Sequence, residues 1–268
     1  MRKVAAIFAT VLTACLAFAA RAEAPLFSLP DGTYRAVVPP GWDGKQKLPM
    51  VLYMHGYGQS SGEVTGTDDL VASVTSLGML FVVPDGVAHG WSHVGAPRHN
   101  RDDLAFLHEV VADAEKRWPV DPAKIYAAGF SIGGSMVWDL ACHAPQGFAA
   151  FLPVSGAFWL PYPEHCEGGP INLRHVHGLT DTTVPMKGRT IFGSFTQGDV
   201  MKGWEILRAT DACGPTPDRT AKEEDLNCQE WSPCGSGRSL ELCLHGDGHD
   251  MEPRYLHGGL IWAMGLKR

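Results

Sequence analysis

Seven short apolar runs punctuate the chain: Tyr34 to Val38, Pro49 to Met54, Met79 to Val83, Ile125 to Ala128, Ala149 to Val154, Leu173 to Val176 and Leu240 to Leu244. Most are bounded by Gly or Pro, and the central ones are almost continuously apolar, as strands covered on both faces must be. Stretches with helical spacing lie between them, at Asp68 to Leu77, Asp103 to Trp118, Gly134 to His143, Asp199 to Thr210 and Arg254 to Leu266. In the second of these, Leu104, Leu107, Val110, Val111 and Ala114 share one face, and the pattern stops before Pro119. Strands and helices in alternation predict an α/β fold, with a doubly wound, mostly parallel sheet carrying helices on both faces.

At 268 residues the chain fits one large domain, and no linker-like or repeated stretch divides it. Its N-terminus reads as a targeting segment: Arg2 and Lys3, an apolar run from Val4 to Ala20, and an A-x-A-like cleavage site at Ala20-Arg21-Ala22. The expected organisation is a signal peptide over 1–22 and a single catalytic domain over 23–268, exported to the periplasm or out of the cell. Leu12-Thr13-Ala14-Cys15 offers an alternative, a lipoprotein signal with an anchor on Cys15, although the apolar run continues beyond it. No later run reaches the ~18 apolar residues that span a bilayer. The net charge of −7, or −10 once Arg2, Lys3 and Arg21 are removed, argues against general binding to nucleic acid or an anionic membrane. Export leaves six cysteines, an even number in an oxidising compartment, and the pairing expected is Cys142–Cys166, Cys213–Cys234 and Cys228–Cys243. A zinc site is the alternative, but the spacing lacks two C-x-x-C pairs.

Directly after the run Ile125 to Ala128 comes Gly129-Phe130-Ser131-Ile132-Gly133, the G-x-S-x-G pattern that places a nucleophilic serine on a sharp strand-to-helix turn. With 31 Gly in the chain, chance supplies such a pentapeptide about 0.2 times, so its context has to carry the inference. An elbow serine requires a base and an orienting carboxylate, in the chain order Ser, Asp/Glu, His. Asp181 follows the strand ending near Val176, and His249 follows the last strand in the glycine-flanked loop Gly246-Asp247-Gly248-His249. His245 and His257 are rival bases, one at the strand end and one inside the last helix. Asp247 and Asp250 are rival acids, too close to His249 along the loop to accept its Nδ1–H. Two backbone donors are expected to face a developing oxyanion: the N–H of Ile132, after the nucleophile, and that of Tyr57 in the loop His55-Gly56-Tyr57-Gly58-Gln59.

Two other classes are open. The chain has 12 histidines, and the pairs His89/His93 and His175/His177 raise a metal-dependent hydrolase, although neither belongs to an H-E-x-x-H motif. Exposed tryptophans such as Trp42 and Trp91 would suit a non-catalytic glycan-binding module, against the usual placement of aromatics in the core of an α/β chain.

The motifs, taken in order, resemble the secreted polyhydroxybutyrate depolymerase and feruloyl esterase group of the α/β-hydrolase superfamily. The likeness rests on Val37 to Gly44, the HGYGQ loop at His55 to Gln59, Val82-Val83-Pro84-Asp85-Gly86 followed by Trp91, and Asp103 to Leu107. It continues through Val120-Asp121-Pro122, GFSIGG at Gly129 to Gly134, His177-Gly178 with Asp181, Val184 and Pro185, and Gly246 to His249. The resemblance implies an α/β-hydrolase fold without a large lid, a serine esterase needing no cofactor or metal, and the catalytic residues Ser131, Asp181 and His249. It also implies feruloyl or acetyl esters of plant polysaccharide, or hydroxyalkanoate oligomers, as substrates, with polyhydroxybutyrate depolymerisation as the alternative. Trp91 is expected to line the substrate site. Two departures stand out: Tyr57 replaces a cysteine common in the family, and Met251 replaces a tryptophan two residues after the histidine. No appended polymer-binding domain is expected, which favours soluble esters over solid polyester.

Overall fold

The computed structural model describes residues 23–96, 99–191 and 193–266. The expected signal peptide and the alternative anchor at Cys15 lie outside the described residues. In chain order the elements are β1 (Leu26–Leu29), β2 (Gly32–Val37), β3 (Leu48–Met54), α1 (Ser61–Thr65), α2 (Asp68–Thr75), β4 (Leu80–Pro84), α3 (Asp103–Arg117), β5 (Val120–Phe130) and α4 (Ile132–His143). They continue with β6 (Ala150–Val154), β7 (Leu173–Gly178), β8 (Arg189–Ile191), β9 (Phe195–Gln197), α5 (Val200–Thr210), β10 (Arg219–Glu223), β11 (Leu226–Trp231), β12 (Leu240–His245) and α6 (Pro253–Gly265).

One ten-stranded sheet runs in the order β1-β2-β4-β3-β5-β6-β7-β12-β11-β10, and β8 pairs with β9 apart from it. From β4 to β12 the pairings are parallel. At both edges they turn antiparallel. Six of the seven expected strands form the parallel centre, the seventh, Tyr34 to Val38, is the antiparallel β2, and the expected helices are α2 to α6.

The strands left unread in the sequence are mainly those at the edges. β10 reads Arg-Thr-Ala-Lys-Glu and buries none of its side chains. It holds its place through backbone pairing to β11, whose Leu226 and Cys228 are buried while Asn227 and Gln229 are exposed. A one-sided edge hairpin has no continuous apolar run to announce it.

Strand pleating sorts the core. Met50, Leu52, Met54, Leu80, Val82 and Ala127 face one layer, packed with α3, α4 and α5. Val51, Tyr53, Phe81, Val83, Tyr126 and Ala128 face the other, packed with α2 and α6. Alternate residues point to opposite faces, so a run that is apolar throughout is buried on both. The α4 layer is rich in aromatic rings: Trp138 meets Phe158 edge-on at 4.9 Å and Trp204 at 6.5 Å between centroids.

Three disulfides staple the later half of the fold. Cys142 at the end of α4 joins Cys166, Cys213 after α5 joins Cys234, and Cys228 on β11 joins Cys243 on β12. The last two face each other directly in the antiparallel register, with Cα atoms 4.0 Å apart. That bridge closes a sequence separation of 15 residues, a loop whose closure is worth about 3 kcal/mol in the chain-entropy account. Replacing Cys228 and Cys243 together by Ala should lower the urea midpoint by a corresponding amount; an unchanged midpoint under non-reducing conditions would show that β11 is held by its pairing alone.

Candidate active site

Ser131 stands between β5 and α4 with φ 59° and ψ −122°, in a region that costs a non-glycine residue of order 1–3 kcal/mol. A serine at a helix N-cap ordinarily turns its hydroxyl onto the helix amides, but here no such bond forms. The conformation persists because backbone crowds it from every side. A Cβ on Gly133 would fall 2.1 Å from the Met54 carbonyl oxygen and 2.5 Å from that of His55, and one on Gly129 would fall 2.6 Å from the Gly133 oxygen. These two positions admit only glycine. The Ser131 N–H donates to Val154 O at 2.9 Å, tying the turn to the end of β6.

His249 Nε2 lies 2.8 Å from Ser131 Oγ, and its Nδ1 lies 2.7 Å from Asp181 Oδ2. Asp181 and His249, 68 residues apart along the chain, meet because β7 and β12 are parallel neighbours whose following loops emerge side by side. Those loops are laced together: Leu179 N–H donates to His245 O, and Thr180 donates its N–H to Asp247 O and its hydroxyl to Gly246 O. The imidazole also rests against the Phe130 ring, 4.8 Å between centroids.

Asp181 is 4% exposed. Its Oδ1 accepts the N–H groups of Thr183 and Val184 at 2.7 and 2.8 Å. Burial by itself would raise this carboxyl, but the His249 hydrogen bond and the two amides outweigh it and hold the group below its ordinary value. A depressed carboxyl stays ionised at neutral pH, and its contribution to stability is lost only as pH falls through that lowered value.

The HGYGQ loop follows β3, which pairs with β5 in the sheet, and it reaches the elbow from that side. Amides of Gly56, Gly58 and Gln59 are engaged with Gln59 Oε1, His89 O and Gly56 O. The N–H of Tyr57 takes no part in these bonds. Ile132 opens α4, so its N–H has no intrahelical acceptor and lies at the positive end of the helix dipole. A Cβ on Gly90 would touch both Tyr57 Cδ2, at 3.7 Å, and Ile132 Cδ1, at 4.0 Å. The structure therefore brings the two expected donor residues together beside Ser131. The Tyr57 side chain is 78% exposed.

Trp91 departs from expectation. It is 7% exposed, its indole N–H donates to His55 O at 2.9 Å, and its ring packs on the His55 imidazole. It supports the loop from behind, and its face is not offered to a substrate. His55 itself went unrecognised as a site residue in the sequence. It is fully buried, accepts the Gly86 N–H on Nε2 and donates Nδ1–H to Gly56 O. Burial depresses its basicity, against the pull of Gly56 O and Asp85. Its place at the end of β3, just before the glycines, was the available signal.

The histidine pairs that suggested a metal are otherwise engaged. His89 Nδ1 contacts Gln59 O, His93 Nδ1 contacts Asp139, and His175 and His177 contact each other. Asp225, His245 and Asp247 bring ligand-type atoms within 4.8 Å of one another. Arg254 already pairs with both carboxylate oxygens of Asp225, however, placing a fixed cation where a metal would have to bind. Trp42 donates its indole N–H to Gln46 O and packs against the core.

No family model matches the chain. It is 29% identical over 223 residues to NocK of Nocardia uniformis subsp. tsuyamanensis, a protein assigned as an esterase, covering 79% of this chain and 64% of NocK. To feruloyl esterase C of Emericella nidulans it is 28% identical over 189 residues, covering 68% of this chain and 67% of that protein. The fold superimposes on acetyl xylan esterase from Aspergillus awamori with a TM-score of 0.60 at 15% identity, covering 85% and 94% of the two chains.

The chain has the α/β-hydrolase fold and is similar over most of its length to proteins named as feruloyl esterases and other esterases. Residues 155–172, between β6 and β7, form no helix. Among the described residues no helix is long and apolar enough to cross a membrane. If Asp181 orients His249, Asp181→Asn should lower kcat by about 10⁴-fold, by favouring the wrong imidazole tautomer, with little change in KM. Steady-state kinetics on the purified variant would check this, and a kcat within tenfold of the parent would remove Asp181 from the role.

Proposed function

We propose that this protein is an exported serine carboxylic-ester hydrolase working through an acyl-enzyme, with Ser131 as nucleophile, His249 as base and Asp181 as its orienting acid. The observation that carries the reading is the unbroken chain from Ser131 Oγ through both nitrogens of His249 to Asp181, at 2.8 and 2.7 Å. His249 Nε2 takes the hydroxyl proton as Oγ attacks the ester carbonyl, then returns it to the departing alcohol. Asp181 accepts Nδ1–H throughout and stabilises the imidazolium. Water then enters where the alcohol left and attacks the acyl carbon, giving its proton to His249, which returns it to Ser131 Oγ as the acid departs.

Charge that develops on the carbonyl oxygen is met by the N–H groups of Tyr57 and Ile132, each worth about 2.7–4 kcal/mol in such a role. Because these are backbone donors, Tyr57 in place of the family's cysteine leaves the role intact. Export is supported by the three disulfides, which persist in oxidising compartments. The names of the relatives direct the substrate reading to feruloyl and acetyl esters of polysaccharide.

Ser131→Ala should abolish both p-nitrophenyl acetate turnover and labelling by a fluorophosphonate probe, and persistence of either would overturn the nucleophile. Methyl ferulate, acetylated xylan and hydroxybutyrate oligomers, assayed side by side, test the substrate class: preferential cleavage of the oligomers would replace the polysaccharide-ester reading.

A further inference from the structure

Behind Asp181 lies a second line of hydrogen bonds that the proposed reaction does not use. Trp138 Nε1 on α4 lies 3.4 Å from His175 Nδ1, His175 Nε2 lies 2.9 Å from His177 Nδ1, and His177 Nε2 lies 2.8 Å from Val184 O. Both imidazoles are fully buried. His177 Nε2 is also 3.5 Å from Asp181 Oδ2. Val184 connects the two systems, since its N–H donates to Asp181 Oδ1 while its carbonyl faces His177.

Counting protons fixes the tautomers. The indole N–H can only donate, so His175 Nδ1 must accept and its proton sits on Nε2. That proton points at His177 Nδ1, which must accept in turn, so the His177 proton sits on Nε2 and is donated to Val184 O. All four ring nitrogens are then used with both rings neutral. The competing arrangement has His175 Nδ1–H donating to Pro153 O, 3.1 Å away. It would set His175 Nδ1–H against the indole N–H, and satisfying Val184 O as well would require a buried imidazolium. Burial opposes that charge: it depresses His175 strongly, and it depresses His177 despite the pull of Val184 O and Asp181. The ionisable groups acting on His177 are His175 beside it on β7, Asp181 in the following loop, and His245 and His249 from β12 and its loop.

We propose that His177 is a positioning residue for Asp181, locked by the Trp138–His175 relay as a neutral Nε2–H donor that clamps the turn at Val184 and so fixes the carboxylate facing His249. The proposal rests on the assignment of Asp181 as the orienting acid. His177→Leu removes the clamp, whereas His177→Gln can place an amide N–H where Nε2 stood.

The test is kinetic and spectroscopic, on the mature chain. With rates normalised to sites titrated by fluorophosphonate, His177→Leu should lose ~10–100-fold in kcat, the scale of a small misplacement of catalytic groups. KM should hold, and the acid limb of kcat/KM should move to lower pH, because a loosened Asp181 supports the His249 imidazolium less. His177→Gln should restore most of both. A merely structural role would reduce the number of titratable sites and leave rate per site and acid limb unchanged, which would overturn the proposal.

Nitrogen-15 histidine NMR of the unmutated chain needs no variant to fold. It should show His177 as the Nε2–H tautomer without titration between pH 5 and 9, and an Nδ1–H form or a titration there would equally overturn it. Trp138→Phe should populate the reversed tautomers, and unchanged tautomers would remove Trp138 from the relay. Retained turnover in Ser131→Ala would defeat the serine mechanism while leaving the NMR result standing, so the two failures are distinguishable.

Discussion

The first turn of α4 is pressed backbone to backbone against its neighbouring strands. α4 begins so near the end of β3 that Gly133 lies where a Cβ would strike the carbonyl oxygens of Met54 and His55, and Gly156 after β6 is pressed as tightly against Gly134. This convergence of β3, β5 and β6 on the first turn of α4 over-determines the φ of Ser131 and keeps a strained residue in place. It also sets the HGYGQ loop beside Ser131, so the amide of Tyr57 and the N-terminus of α4 share one small region. The Ser131 hydroxyl and the two amides proposed to meet the oxyanion are fixed by the same packing.

The opposite wall of the site comes from strand order. β7 and β12 are far apart in sequence and adjacent in the sheet, and their parallel pairing delivers the Asp181 and His249 loops together. Hydrogen bonds from Leu179 and Thr180 to the carbonyls of residues 245–247 then prevent the loops from sliding past each other. Beneath them, the buried line from Trp138 to Val184 links the aromatic layer under α4 to the turn that holds the carboxylate. The orientation of His249 is thus anchored in the core as well as at the surface.

Much of this was legible in the sequence. The central strands are apolar on both faces and so read as continuous runs, and the helices between them kept their spacing. Ser131, Asp181 and His249 stood out because each follows such a run in a glycine-rich or polar loop. The edge hairpin β10–β11 was silent because Arg219 to Glu223 has no buried face. Trp91 misled because a large aromatic beside a site motif has two uses, and only the contact with His55 separates them. His55 and His177 were visible as motif letters, but a buried histidine acquires a role only from the partners on each nitrogen.

The sequence by itself determined the alternation of elements, the position of the elbow and the order of Ser131, Asp181 and His249, because periodicity, glycine and chain order are local properties. The tertiary structure alone decided that β7 and β12 are neighbours, that Trp91 faces inward, and that His175 and His177 stand between an indole donor and a carbonyl acceptor. These depend on which distant segments pack together. Proton placement in a buried line follows from the donors and acceptors at its two ends, and here those ends, Trp138 and Val184, meet only in the folded chain.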